Sequence, residues 1–241
     1  MKPTIACLGL LCTLLTFAVS GAQNPDLIDW NTPAAEPLQQ RIPANADFWQ
    51  LIPQLTTQKT QTYCGIASAV TVLNTMAFGQ SGDPVYFPYV HVTQDSFFTP
   101  DVLQYVTPLS VLTRGITMKE LGNALQSHGA LVQSLSGDSI SIDQLREHLR
   151  HELTDKEHYL LINYHRPSLN QKGGGHWSVL GAYDVSSDRA LILDVARYAY
   201  PPTWVSLSAL HRAINTLDSS SGESRGLLII SAPPTTAQNS P

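Results

Sequence analysis

Gln58 to Met76 reads QKTQTYCGIASAVTVLNTM, a polar loop that ends at Tyr63, then Cys64, then an apolar-periodic run. Ile66, Ala69, Val70, Leu73 and Met76 recur at helical spacing, so the run predicts a helix with Cys64 at its N-terminus and one apolar face. A thiol there sits at the positive end of the helix dipole, beside N–H groups that have no intrahelical partner. Both favour the thiolate, which is the reactive form. The same cysteine also suits an apolar core, and the stretch alone leaves both uses open.

The flanks narrow the choice. Met1-Lys2, the apolar run Ile5–Val19 and Ser20-Gly21-Ala22 make residues 1–22 an expected export signal, cleaved after Ala22; the run is too short for a stable membrane anchor. Export would place the protein in the bacterial periplasm. Of three cysteines, Cys7 and Cys12 would leave with the signal, so the mature chain keeps Cys64 alone. A single thiol in a disulfide-permissive compartment is an oxidation liability, which argues for use of the thiol. Charged residues make up only 14% and the formal net charge is −5, which disfavours disorder and nucleic-acid binding.

Residues 23–47 read as an irregular N-terminal arm, 48–232 as one catalytic domain and 233–241 as a disordered tail. Between the Cys64 helix, expected to end near Phe78-Gly79, and Asp101, the rings Tyr86, Phe87, Tyr89, Phe97 and Phe98 suggest a loop packed by its own aromatics. Met118–His128 is helical with Gly129 as its stop, and Ser141-Ile142-Asp143-Gln144 is a capping box that opens another helix. The second half changes period. Tyr159–Tyr164, Trp177–Tyr183, Ala190–Val195 and Gly226–Ser231 are short apolar runs that read as strands, with a hairpin through Asp184–Arg189 and a helix over Ser206–Leu217. Helices first and an antiparallel sheet second predict an α+β fold.

Gly173-Gly174-Gly175 leads into His176 at the start of the second of these strands, and Asp194 closes the third. Histidine titrates near neutrality and can serve as base and acid. A carboxylate between Leu193 and Val195 needs a partner if buried, and an imidazole N–H on the adjacent strand would supply one. Cysteine, then a distant histidine, then a carboxylate is the chain order of papain-like cysteine enzymes, in which the cysteine opens a helix and its partners lie on a sheet. Gln58, six residues before Cys64, falls where that superfamily keeps an oxyanion-donating amide.

The runs QTYCGIASAVTVLN, GGGHWSVLGAYD, LILDVARYAYPPTWVSL and NTLDSSSGESRGLLIIS, in order from about Pro43 to Pro233, resemble phytochelatin synthase in its short bacterial form. The resemblance implies a papain-like fold with Cys64, His176 and Asp194 as catalytic triad and glutathione as substrate. The cysteine would form a γ-Glu-Cys thioester with loss of glycine, resolved by water or by a second glutathione to give phytochelatin in heavy-metal detoxification. It also implies a γ-glutamyl pocket carrying both signs of charge, for which Asp218, Arg225 and Arg197 are the candidates, Arg197 either for substrate or for pairing with Asp218.

Plant members carry a cysteine-rich C-terminal region. This chain stops soon after the sheet, as the bacterial members do, which mainly hydrolyse glutathione. No tightly bound cofactor is expected, and Cd or Zn would enter as a metal–glutathione acceptor complex. His148 and His151 lack a third ligand at a recognisable spacing and read as solvated helix residues, so no protein metal site is expected. A homodimer is compatible with the sequence. An exported peptidase acting on ordinary peptides, or a thiol- or metal-binding protein without turnover, are the competing readings.

Overall fold

The computed structural model describes residues 24–77 and 82–233; the expected export signal, Cys7, Cys12, Phe78-Gly79 and all but the first residue of the expected tail lie outside them. In chain order come β1 (Leu27–Asp29), α1 (Glu36–Gln40), α2 (Phe48–Leu51), α3 (Cys64–Thr75), α4 (Pro108–Arg114), α5 (Met118–Ser127), β2 (Leu131–Ser136) and α6 (Ile142–Glu152). Then follow β3 (His158–His165), β4 (Gly175–Asp184), β5 (Arg189–Leu193), β6 (Thr203–Ser206), α7 (Leu207–Ile214), β7 (Leu217–Asp218), β8 (Glu223–Ser224) and β9 (Gly226–Ser231). Seven strands pair antiparallel in the order β1-β6-β5-β4-β3-β9-β2, and β7-β8 is a separate ribbon.

The mixed helix and antiparallel-sheet class agrees with the sequence, but the layering differs. One apolar core joins α2, α3 and α5 to one sheet face through Tyr159, Leu161, Trp177, Val179, Leu191, Leu193, Leu228 and Ile230. A second joins α6 and α7 to the other face through Leu160, Ile162, Leu180, Ile192, Leu227 and Ile229. The central strands read as continuous apolar runs because helices cover both their faces. The expected hairpin is present, with Asp184 opposite Arg189.

Three expectations are corrected. The arm 23–47 is not wholly irregular: β1 caps one sheet edge on β6, and α1 buries Leu38. Helix α3 does not present a single apolar face, since every residue from Cys64 to Leu73 is buried. The aromatic loop packs on its own rings only in part: the enclosed Phe97 meets Phe98 edge to face, with 5.6 Å between ring centroids, whereas Phe87 and Tyr89 are 86% and 78% exposed. Among the described residues no helix is long and apolar enough to cross a membrane.

Burial of α3 fixes the head of the helix. Ile66, Val70, Val72 and Leu73 are almost fully enclosed, each such side chain contributing roughly 1.5–3 kcal/mol. A Cβ on Gly65 would stand 2.4 Å from Ile116 Cγ2 and 3.2 Å from Trp177 Cδ1, so only glycine lets the first turn lie this close to β4. Trp177 is held in turn by its indole N–H, which donates to the Ile116 carbonyl at 3.0 Å.

Candidate active site

At one end of the sheet the register sets Tyr164 of β3 opposite His176 of β4, and β5 ends with Leu193 opposite Val179, so that Asp194 follows directly. His176 Nε2 lies 3.0 Å from Asp194 Oδ1. An ionised carboxylate only accepts, so Nε2 carries the proton and Nδ1 is left for the thiol. The groups that act on the Cys64 thiol are the His176 side chain and the backbone N–H groups of Trp177 and Gly65. Cys64, His176 and Asp194 are all buried.

Burial works against charge at each of the three, and the neighbours overcome it. Cys64 is held below the usual thiol value by the His176 charge and hydrogen bond and by the two N–H groups. His176 is raised, against its burial, by the Cys64 charge and by hydrogen bonds to Asp194 and Cys64. Asp194 is lowered by the His176 hydrogen bond and charge, by Arg166 and by the Ala196 N–H. Both shifts favour a thiolate beside an imidazolium.

Asp194 has partners that sequence reasoning missed. Arg166 is buried and its Nη2 donates to Oδ2 at 2.8 Å and Oδ1 at 3.0 Å. The Tyr164 hydroxyl donates to Oδ2 at 3.3 Å and the Ala196 N–H to Oδ1 at 2.8 Å. The Arg166 guanidinium is itself placed over the Tyr200 ring, 4.3 Å from its centroid. The available signal was an arginine closing the run from Tyr159 to His165, but its partner stands 28 residues away.

Gln58 is buried beside this group, its N–H donating to the Val195 carbonyl at 2.9 Å. Its Nε2 is 2.7 Å from the Tyr198 hydroxyl, while Oε1 is buried with no donor among the described residues. Exchanging the amide's oxygen and nitrogen lets Tyr198 donate to the carbonyl and frees the NH2.

Two cavities share Gly175 and His176. The narrower, about 120 Å³, is lined by Cys64, Trp177, Asn163, Asp218 and Arg225. The wider, about 500 Å³, is lined by Gln58, Arg166, Lys172, Tyr198 and Tyr200. In the narrow one Arg225 Nη1 donates to Asn163 Oδ1 at 2.7 Å and Nη2 to Asp218 Oδ1 at 3.4 Å. Asn163 Nδ2 donates to Asp218 Oδ2 at 3.4 Å, and Arg225 Nε is buried without an acceptor among the described residues. Burial pulls the Arg225 guanidinium below its ordinary value, opposed by the charges of Asp218 and Cys64. Gly175 admits this arrangement, since a Cβ there would stand 2.2 Å from Arg225 Nη1.

The structure thus brings Cys64, His176, Asp194 and Gln58 together and sets Asp218 and Arg225 in the cavity that opens on the thiol. Arg197 is not among them. Its exposed side chain donates to the Leu55 carbonyl at 3.2 Å and lines neither cavity, and Asp218 pairs with Arg225 instead. Asn163 was missed, although a lone amide in an apolar strand must find partners when buried. His148 and His151 face carboxylates, at 3.5 Å from Glu152 and 3.6 Å from Glu147.

A thiol, an imidazole and a carboxylate gathered in this way are the residue types that acyl transfer through a cysteine uses. The family follows from comparison: the phytochelatin synthase model matches residues 22–227, and the chain belongs to that family. It is similar to glutathione gamma-glutamylcysteinyltransferase 1 of Triticum aestivum, 37% identical over 185 residues, 76% of this chain and 36% of that protein. Glutathione gamma-glutamylcysteinyltransferase 2 of Arabidopsis thaliana is 34% identical over 187 residues, 77% of this chain and 40% of that protein. The enzyme of that name from Schizosaccharomyces pombe is 26% identical over 185 residues, 76% of this chain and 43% of that protein. The chain therefore spans well under half the length of these relatives. Among solved structures, the peptidase domain of Streptococcus ComA is 15% identical with a TM-score of 0.45, covering 74% of this chain and 98% of that one.

Proposed function

We propose that this chain is a papain-like, glutathione-cleaving acyltransferase and hydrolase. The observation that carries the reading is the buried Asp218–Asn163–Arg225 group opening on the same narrow cavity as the Cys64 thiolate. A γ-glutamyl end bears an ammonium and a carboxylate, and Asp218 and Arg225 offer one charge to each; the orphaned Arg225 Nε supports a carboxylate there. In this reading the Cys64 sulfur attacks the carbonyl of the substrate's cysteine, forming the C–S bond. The Gln58 amide and the Cys64 backbone N–H hold the oxyanion. His176 gives its proton to the glycine nitrogen as the C–N bond breaks. The γ-Glu-Cys thioester is then attacked by water or by the γ-glutamyl amine of a second glutathione, whose proton His176 takes as the C–O or C–N bond forms, and Cys64 leaves as thiolate.

The wider cavity, with the cationic Lys172 and Arg166, suits the carboxylates of an acceptor, including a metal–glutathione thiolate. We place the activity in the periplasm on the strength of the export signal read in residues 1–22. Glycine release from glutathione by the purified protein tests the reading. Wild type is expected to release it and Cys64→Ala to release none. Equal release by both, or turnover of ordinary peptides in place of glutathione, would overturn it.

A further inference from the structure

At the far end of β3 from the site, a second group of side chains converges. His158 opens the strand and Tyr164 nearly ends it, which at about 3.3 Å per residue puts roughly 20 Å between them. His158 Nδ1 lies 2.9 Å from Glu152 Oε2 and 2.5 Å from Asp155 Oδ2. One ligand atom from each of the three residues falls within 4.8 Å of the others. A single imidazole proton is thereby shared by two carboxylates, in the place a cation would take.

An independent observation points the same way. Asp47 is fully buried, and neither of its carboxylate oxygens finds a donor among the described residues. It lies directly beneath the turn that joins α6 to β3: its N–H donates to the Leu153 carbonyl at 3.1 Å, and Asn45 Nδ2 to the Thr154 carbonyl at 2.8 Å. A buried carboxylate without a donor is costly unless it is neutral or faces a positive charge. Here burial, then the charges of Asp155 and Glu152, pushes Asp47 up to about 8. Among the described residues the ion pairs of Glu152 and Asp155 are with His148 and His158 alone, so no lysine or arginine neutralises these two carboxylates.

We infer that Glu152, Asp155 and His158, with Asp47 beneath them, form a binding site for a divalent cation of the zinc class. The donor set decides the class: one imidazole nitrogen with carboxylate oxygens suits zinc, whereas calcium and magnesium take all-oxygen sets. Zinc ligands at 2.0–2.2 Å in a tetrahedron stand roughly 3.3 Å apart, so the His158 contacts need open by less than about 1 Å once the shared proton is replaced. The bound ion would tie the end of α6 and the start of β3 to the segment that enters α2, apart from the thiol and whatever its reaction.

Calorimetric titration of the full chain with zinc chloride alone tests this, in a background that combines Cys64→Ser with Cys7→Ser and Cys12→Ser so that no thiol takes metal. One equivalent should bind and raise the melting temperature. His158→Gln and Asp155→Asn, both at partly exposed positions, should keep the metal-free melting temperature and lose at least tenfold in affinity. Asp47→Asn should weaken binding by about 10–100-fold, as for a group that supports metal ligands. Failure of the thiol-free protein to bind zinc, or equal binding by the His158 and Asp155 variants, would overturn the inference.

Discussion

Replacing Gly175 by alanine is expected to dislodge Arg225 while sparing the thiolate. Gly175 has ordinary extended backbone in β4, so alanine fits the chain path. Its Cβ, however, would stand 2.2 Å from Arg225 Nη1 and 2.5 Å from Cζ and Nη2, well inside the ~3.5 Å of an optimal contact. The guanidinium must retreat by about 1 Å, enough to break its 2.7 Å bond to Asn163 Oδ1 and to leave the position proposed for the substrate carboxylate. Loss of one charge-assisted hydrogen bond costs about 1.5–3 kcal/mol, and with 1.36 kcal/mol per tenfold that is a fall of roughly 10–150-fold in kcat/KM for glutathione. Two assays run in parallel decide it: initial rates of glycine release against glutathione concentration, and alkylation of Cys64 by iodoacetamide, which reads the thiolate without the substrate. An unchanged kcat/KM would refute the reasoning. So would alkylation that slows in step with turnover, since the glycine would then serve His176 and not Arg225.

The lowering of Cys64 and the raising of His176 both favour the thiolate–imidazolium pair. Alkylation should therefore persist below the range of a free cysteine, near pH 8.5, and in His176→Ala shift upward; coincident profiles would exclude the ion pair. Gln58→Ala should preserve the fold and lower the rate of glycine release by about 10²–10³, as for one oxyanion donor, and an unaltered rate would remove that role. Arg166→Met leaves the buried Asp194 without the cation whose Nη2 serves both its oxygens, and urea unfolding should show a loss of about 3–5 kcal/mol; equal stability would mean that His176 and the N–H of Ala196 suffice.

Cys64, His176 and Asp194 were legible because each carries a local mark: a helix head, a glycine run before a strand, and the end of an apolar run. The residues that hold them carried weaker marks. Arg166 and Asn163 sit at or inside the β3 run, and their partners Asp194, Asp218 and Arg225 are far along the chain, so only the sheet register reveals the pairing. Arg197 looked suited to substrate because it follows Asp194 closely, but the chain turns out of the strand at Leu193 and carries it to the surface. The layering was hidden for a related reason. A strand buried on both faces reads as continuous apolar residues whichever element covers it, while β1 and β6 have too few residues for a period and owe their order to pairing.

His176 stands on the wall between the two cavities, and this constrains the timing of the reaction proposed above. One imidazole must hand a proton to the departing glycine and later take one from whatever attacks the thioester. Both molecules must therefore reach the same side of the ring. The glycine has to vacate that space before an acceptor enters, which makes the cycle ping-pong, with no ternary complex of donor and acceptor. It also makes free glycine a competitor for the acceptor's place, able to run the first half-reaction backwards, so that the fate of the acyl group is a contest for one vestibule.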